Sequence, residues 1–196
     1  GAMGICVAKS QQIYDALLVE RNAIQETNSV LEYFRNQQRN ITLSDEVNIR
    51  DFVYNILNTF VLQAGRHDIS VSISKMTQEE VARWPIEKVQ QIIFNLLKNA
   101  KEAIASFREQ SAAHRKSHGH ISLSVENDGH FVILQVRDNG GGFHVEESVL
   151  FSQGFTTKKE GTGIGLHYAA IMAQSMQGAL SAENVQIGRA SCRGRV

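Results

Sequence analysis

The sequence predicts an α+β fold, a two-layer α/β sandwich with helices packed on one face of a sheet. Three observations carry that reading. Apolar residues recur with a period near 3.6 in some stretches and near 2 in others, in the order helix, strand, helix, strands, helix, strand, which is too irregular for a doubly wound sheet. Neither glycine nor proline occurs from residue 5 to residue 64, so the first third is helical. Nine of the 15 glycines fall between residues 119 and 165, which places the loops that could admit a ligand close to backbone in the later part of the chain. A length of 196 residues with 42% hydrophobic side chains suffices for one large domain, or for a domain with an appendage.

The elements follow in order. The opening GAMG is unpatterned and reads as an expression scar. Over residues 11–39, Leu17, Ile24 and Leu31 repeat every seven residues, with Ile13 and Phe34 beside them and Glu20 and Thr27 interrupting. So narrow a stripe on a long helix calls for another helix against it, in this chain or in a second copy. Asn48 and Asp51 have the spacing of an N-cap and its third helical residue, and Ile49, Phe52, Val53, Ile56, Leu57, Phe60 and Val61 continue a helix to Gly65. Ile69, Val71 and Ile73 alternate as a half-buried strand. Pro85 opens a core helix whose broad apolar face holds Ile86, Val89, Ile92, Ile93, Leu96, Leu97, Ala100 and Ile104. Residues 121–125 and 131–136 alternate around Asn127, Asp128 and Gly129, a hairpin. A short helical piece near residues 145–150, a helix over 163–176 and a strand over 179–185 complete the pattern.

Composition excludes several classes. Twenty basic against 20 acidic side chains give zero net charge, so no nucleic-acid partner is expected. No apolar run approaches the ~18–20 residues of a membrane span, and the first residues lack a signal-peptide plan, so a soluble chain without membrane contact is expected. Cys6 and Cys192 have no ligand spacing around them, which argues against a disulfide scaffold or zinc site and fits a reducing, cytoplasmic compartment.

Four segments carry chemistry. In QQIIFNLLKNAKEAI, Asn95 and Asn99 lie four apart on one face of an otherwise apolar helix; their amides can be satisfied by backbone, or can meet a metal through oxygen and phosphate through nitrogen. DNGGGF, residues 138–143, sets a carboxylate before glycines at a strand end, which is either a turn or a place where a base amino group meets an acceptor. LFSQGFTTKK, residues 150–159, flanks a loop with Phe151 and Phe155 and ends in hydroxyls and lysines. GTGIGLH, residues 161–167, runs alternate glycines into a helix N-terminus, where backbone amides favour an anion.

In this order and spacing, over residues 48–185, the four segments resemble the nucleotide-binding catalytic domain of sensor histidine kinases, in the superfamily shared with gyrase-type ATPases, Hsp90 chaperones and MutL. The resemblance implies a Bergerat-type ATP-binding fold, a left-handed βαβ sandwich with ATP between the core helix and a mobile lid. It implies that Asp138 accepts the adenine amino proton, that Gly140 and Gly142 shape the adenine end, and that Asn99 helps hold Mg2+ with Asn95 beside the phosphates. Thr156, Thr157 and Lys158 belong to the lid, Gly161, Gly163 and Gly165 hinge it and offer backbone amides to the phosphates, and Phe155 of the phenylalanine box, Thr162, Ile164 and Leu166 are counted with them as nucleotide-binding. Glu102 stands where many members carry a basic residue, so Lys98 or Lys101 is assigned the phosphate charge.

The implied domain plan is an expression scar at 1–4, a helical remnant of the dimerisation and phosphoacceptor hairpin at 5–44, a catalytic domain at 45–187 and an atypical tail at 188–196. No histidine precedes His67, so the acceptor histidine is expected to be absent. His67 with Asp68 reads as a decoy before a strand, and His114, His118 and His120 as a solvated insertion without a carboxylate constellation. The tail IGRASCRGRV shows no strand pattern. The implied partners are ATP, the phosphoacceptor histidine domain of a parent kinase, a downstream response regulator and a homodimer mate through the N-terminal helix. Two other readings stay open: an ATP hydrolase of gyrase or chaperone type, against which Asn95 stands where gyrase-like members use a glutamate, and a degenerate, non-catalytic nucleotide-binding or dimerisation module.

Overall fold

A computed structural model describes residues 45–64, 68–78, 81–111, 114–127, 130–157, 163–186 and 189–195. The heptad stripe of residues 11–39 and the residues Lys158, Gly161 and Thr162 lie outside these.

The elements are β1 (Asp45–Asn48), α1 (Ile49–Ala64), β2 (Ile69–Lys75), β3 (Val81–Trp84), α2 (Ile86–Glu109), a 3-10 turn (His114–Lys116), β4 (Gly119–Asn127), β5 (Val132–Asp138), α3 (Glu147–Leu150), α4 (Gly165–Ser175), β6 (Ala179–Gln186) and β7 (Arg189–Arg195). Five strands form one sheet in the order β2-β4-β5-β7-β6, with β2 parallel to β4 and the other pairs antiparallel. Packed between helices and sheet are Ile121, Leu123 and Val125 of β4 and Val132, Leu134 and Val136 of β5. Alternate positions on β4 and β5 face the helices, as a period of 2 requires. From α2 the core takes Val89, Ile92, Ile93, Leu96, Leu97, Ala100 and Ile104, the expected face apart from Ile86. The α+β sandwich expected from the periodicity is therefore the fold observed.

The Asn48 cap is formed: its Oδ1 accepts the Asp51 backbone N–H at 3.0 Å. From α1, Ile49, Phe52, Val53, Ile56, Leu57 and Phe60 are buried while Val61 is exposed. Two features differ from the sequence reading. A second sheet pairs β1 with β3, and each strand of four residues buries one large side chain, Val47 and Trp84. Alternation over so short a span carries no signal, and Trp84 is held by Phe52, with ring centroids 5.5 Å apart. The tail, expected to lack a strand, forms β7, which runs between β5 and β6 with Val136 opposite Cys192 and Cys192 opposite Ala182. Two neighbouring ladders impose a strand where the side-chain pattern does not announce one. Among the described residues no helix is long and apolar enough to cross a membrane.

Candidate functional site

The site is built on α2, because that helix carries the amides and also supports the glycine loop. Its apolar face is fixed in the core, which leaves Gln91, Asn95, Lys98 and Glu102 in a polar row along one flank. The row is internally bonded: Gln91 Nε2 donates to Asn95 Oδ1 at 3.4 Å, and Lys98 Nζ lies 3.9 Å from Glu102 Oε1. Lys98 is thus a solvent-exposed cation turned toward Glu102. Asn99 is half-buried on the neighbouring line of the helix.

Asp138 ends β5 and is buried, one of two polar side chains so placed among the described residues. Burial pushes its carboxyl from 3.8 up to about 6, and the Gly140 backbone N–H, which donates to Oδ1 at 2.8 Å, pulls the other way. The following glycines lie flat on α2. A Cβ at Gly140 would sit 2.6 Å from the Ala103 carbonyl carbon and the Ile104 nitrogen, and one at Gly141 would sit 2.6 Å from the Phe107 ring. Gly142, with φ +75°, adopts a backbone conformation that favours glycine.

The opposite end of the site is the start of α4. No side chain caps that helix, whose N-cap position is Ile164, and Gly165 neighbours Asn95, a Cβ there lying 3.9 Å from Asn95 Oδ1, an ordinary van der Waals contact. Gly163, with φ +65°, rests on the backbone of Gly154 and Phe155, so the segment leading away from Phe155 and the segment entering α4 meet at their base. Leu166 lies in the first turn of α4. Phe155 and Thr156 are half-buried and Thr157 is exposed. The structure thus brings Asn95 to Gly165, Gly140 to α2 and Gly163 to Phe155; Lys158, Gly161 and Thr162 lie outside the described residues.

Several residues that hold these parts escaped sequence reasoning. The Asn139 side chain accepts from the His120 N–H at 2.8 Å and donates to the His118 carbonyl at 2.9 Å. The Asn184 side chain accepts from the Phe143 N–H at 3.1 Å and donates to the Phe143 carbonyl at 2.7 Å. Glu147 Oε1 accepts the Ala182 N–H at 2.9 Å, and His167 Nδ1 donates to the Phe151 carbonyl at 2.9 Å. Asn139 and His167 at least sat within the quoted segments; nothing in the sequence pointed to Asn184 or Glu147.

Of the three histidines expected in a solvated insertion, His118 and His120 are exposed, as expected, and His114 is half-buried. His118 Nδ1 meets the Asp68 carboxylate at 3.0 Å, His114 stacks on Phe107 with centroids 4.0 Å apart, and His120 lies 2.9 Å from the Ser70 hydroxyl. A carboxylate does face His118, yet no group of three or more metal-ligating side chains exists among the described residues.

Residues 85–194, more than half of the chain, match the family described as histidine kinase-, DNA gyrase B- and HSP90-like ATPase. The chain is 28% identical over 135 residues to the sensor protein TdiS of Thauera aromatica, and 35% identical over 124 residues to the two-component sensor PprA of Pseudomonas aeruginosa. These alignments cover 68% and 61% of this chain but 24% and 13% of those proteins, so the chain spans a minor part of their length. Among solved structures, the catalytic domain of the histidine kinase ThkA superposes with a TM-score of 0.65 at 22% identity, covering 78% of this chain and 94% of that one. Full-length ShkA in complex with AMPPNP superposes with a TM-score of 0.66 at 18% identity, covering 80% of this chain and 31% of that one. At such identities the superpositions establish the fold alone. The family match adds kinship to that shared fold: this chain belongs to the histidine kinase-, DNA gyrase B- and HSP90-like ATPase family.

Proposed function

We propose that this chain is the ATP-binding catalytic part of a two-component sensor histidine kinase, which binds Mg-ATP and passes the γ-phosphoryl group to a histidine imidazole on a dimerisation domain. One observation carries the reading: a single helix, α2, meets the uncapped start of α4 at Asn95 and the Asp138 loop at Ala103. Those two positions lie eight residues, about 12 Å, apart along the helix, on the scale of an extended nucleoside triphosphate. A buried acceptor at one end and free-facing helix amides at the other suit a base and a polyphosphate.

In this reading Asp138 accepts the base amino proton, with Gly140 and Gly142 keeping side chains out of the base's way. Thr156, Thr157 and Lys158 belong to the lid, Gly161, Gly163 and Gly165 are its hinge and offer backbone amides to the phosphates, and Phe155, Thr162, Ile164 and Leu166 are assigned to the same nucleotide-binding set. Asn95 and Asn99 carry hard amide oxygens, the donor type that suits Mg2+ alongside phosphate oxygens, and Asn99 is the residue we assign to hold it. The ion would supply neutralisation of phosphate charge. Lys98, beside Asn95 but turned toward Glu102, adds positive charge at the phosphate end. Transfer then needs positioning more than an activated side chain from this domain: an acceptor imidazole nitrogen forms the new P–N bond as the bond to the β-phosphate oxygen breaks and ADP leaves. Asn95 is a poor base for water, which disfavours hydrolysis.

We further assign residues 5–44 to part of the acceptor hairpin, able to pair in a homodimer, and the catalytic domain to the stretch from residue 45 through the sheet. The acceptor domain and a response regulator are the macromolecular partners, and the cytoplasm is the compartment that supplies ATP. Support comes from the sensor kinases among the relatives and from the heptad stripe. The test is titration with Mg-ATP, followed by incubation with γ-labelled ATP. Binding without acid-labile phosphate on this chain alone, and transfer in trans to a histidine-bearing hairpin, are expected. Acid-labile phosphate on the isolated chain, steady ATP turnover, or no ATP binding would each overturn the corresponding part.

A further inference from the structure

The glycine loop that follows Asp138 is tied at both ends by asparagine side chains, and each tie uses both halves of the amide. Asn139 bonds one N–H and one carbonyl of the β4 entry, at His120 and His118; Asn184 bonds the N–H and the carbonyl of Phe143 from β6, 41 residues away. Each amide therefore acts as one more rung of backbone ladder, placed where the strands themselves no longer pair. Between the ties the loop is supported from below by Ala103, Ile104 and Phe107, and Phe107 is backed by the stacked His114 ring. The one internal bond, Gly140 N–H to Asp138 Oδ1, occupies one carboxylate oxygen and so depends on where the loop lies.

We propose that Asn139 and Asn184 are positioning residues for base recognition: by fixing both ends of the loop they fix the carboxylate of Asp138 and the floor on which a base lies. The inference rests on the nucleotide reading above. A preformed loop spares the ordering entropy that a slack one would lose on binding. A fixed acceptor also discriminates between bases, because only a base presenting a donor there satisfies it, whereas a slack loop can retreat.

Calorimetric titrations of the full chain with Mg-ATP and with Mg-GTP, alongside thermal melts, test this. Asn184→Ala and Asn139→Ala are each expected to weaken ATP binding by about tenfold and to narrow the ATP-to-GTP preference, while cooperative melting is retained. Asn184→Asp keeps an acceptor for the Phe143 N–H and should recover part of both losses. If an alanine variant fails to fold, the near-isosteric Asn184→Asp and Asn139→Asp carry the comparison. Folded variants with ATP affinity and preference within about twofold of the parent would overturn the proposal, as would an equal loss for both nucleotides, which marks a merely structural tie. Failure of the unaltered chain to bind either nucleotide would instead overturn the nucleotide reading itself.

Discussion

At the residue scale, Asp138 is where the proposed base recognition and stability pull against each other. A carboxyl raised from 3.8 to about 6 by burial binds a proton in the folded chain that the unfolded chain has already released between those values. Below 3.8 both states are protonated and Asp138 is neutral in the balance. As pH rises through the window stability falls, and above about 6 the folded chain carries the whole penalty, about 3 kcal/mol for a shift of roughly two units. Asp138→Asn removes that titration and retains an oxygen for the Gly140 N–H. Urea midpoints should therefore show the variant gaining on the parent from pH 4 to 6 and keeping a constant lead above, while ATP binding at pH 7.5 weakens by about ten- to a hundredfold. A variant that is less stable than the parent at neutral pH would refute the assignment. Asn95 and Asn99 were legible in the sequence as amides on an otherwise apolar helix, and Asp138 as a carboxylate set before glycines at a strand end. Asn184 and Glu147 were not, since their partners are backbone groups 41 and 35 residues away, which no local pattern encodes.

At the scale of elements, the decisive contact is between the glycine loop and α2. Gly140 owes its identity to space, because its φ is unremarkable and backbone atoms of Ala103 and Ile104 occupy the Cβ position. Gly154 is the reverse case, with φ +78° and open space around it. Gly140→Ala is expected to destabilise by about 1–3 kcal/mol by forcing the loop off the helix, and to weaken ATP binding with it. Gly154→Ala should cost about 1–2 kcal/mol through backbone conformation alone and leave the base end intact. Melting curves and ATP titrations of both variants separate the two causes. The helices α1 and α2 and the β4–β5 hairpin were legible because an apolar period is sustained over several turns or rungs. β1 and β3 were not, because four residues cannot display a period and each depends on the other strand and on Trp84 packing against Phe52.

At the scale of the whole molecule, β7 is the strand that makes the sheet continuous. It lies between β5, which ends in Asp138, and β6, which bears Asn184. Removing residues 189–195 leaves β5 and β6 with unpaired edges and detaches β6 from the rest of the sheet. The shortened chain should aggregate or melt without cooperativity and lose ATP binding; light scattering and a titration check this, and full-strength binding by a well-folded shortened chain would contradict it. A strand reading RASCRGR was hidden from the sequence because its polar residues follow no half-buried alternation, and its pairing comes wholly from its two neighbours.

One strand also sets a dimension. On β6 the Ala182 N–H holds Glu147 at the start of α3, and two residues on, Asn184 holds Phe143 at the end of the glycine loop. The strand works as a ruler with two marks, roughly 6.6 Å apart. Any shift of β6 along β7 moves both marks together and preserves their spacing. An insertion or deletion between the marks changes it, and also turns one of the two positions to the other face of the sheet. Substitutions on β6 that keep the count are therefore expected to leave both ties in place, whereas a one-residue insertion or deletion between the marks is expected to break one of them.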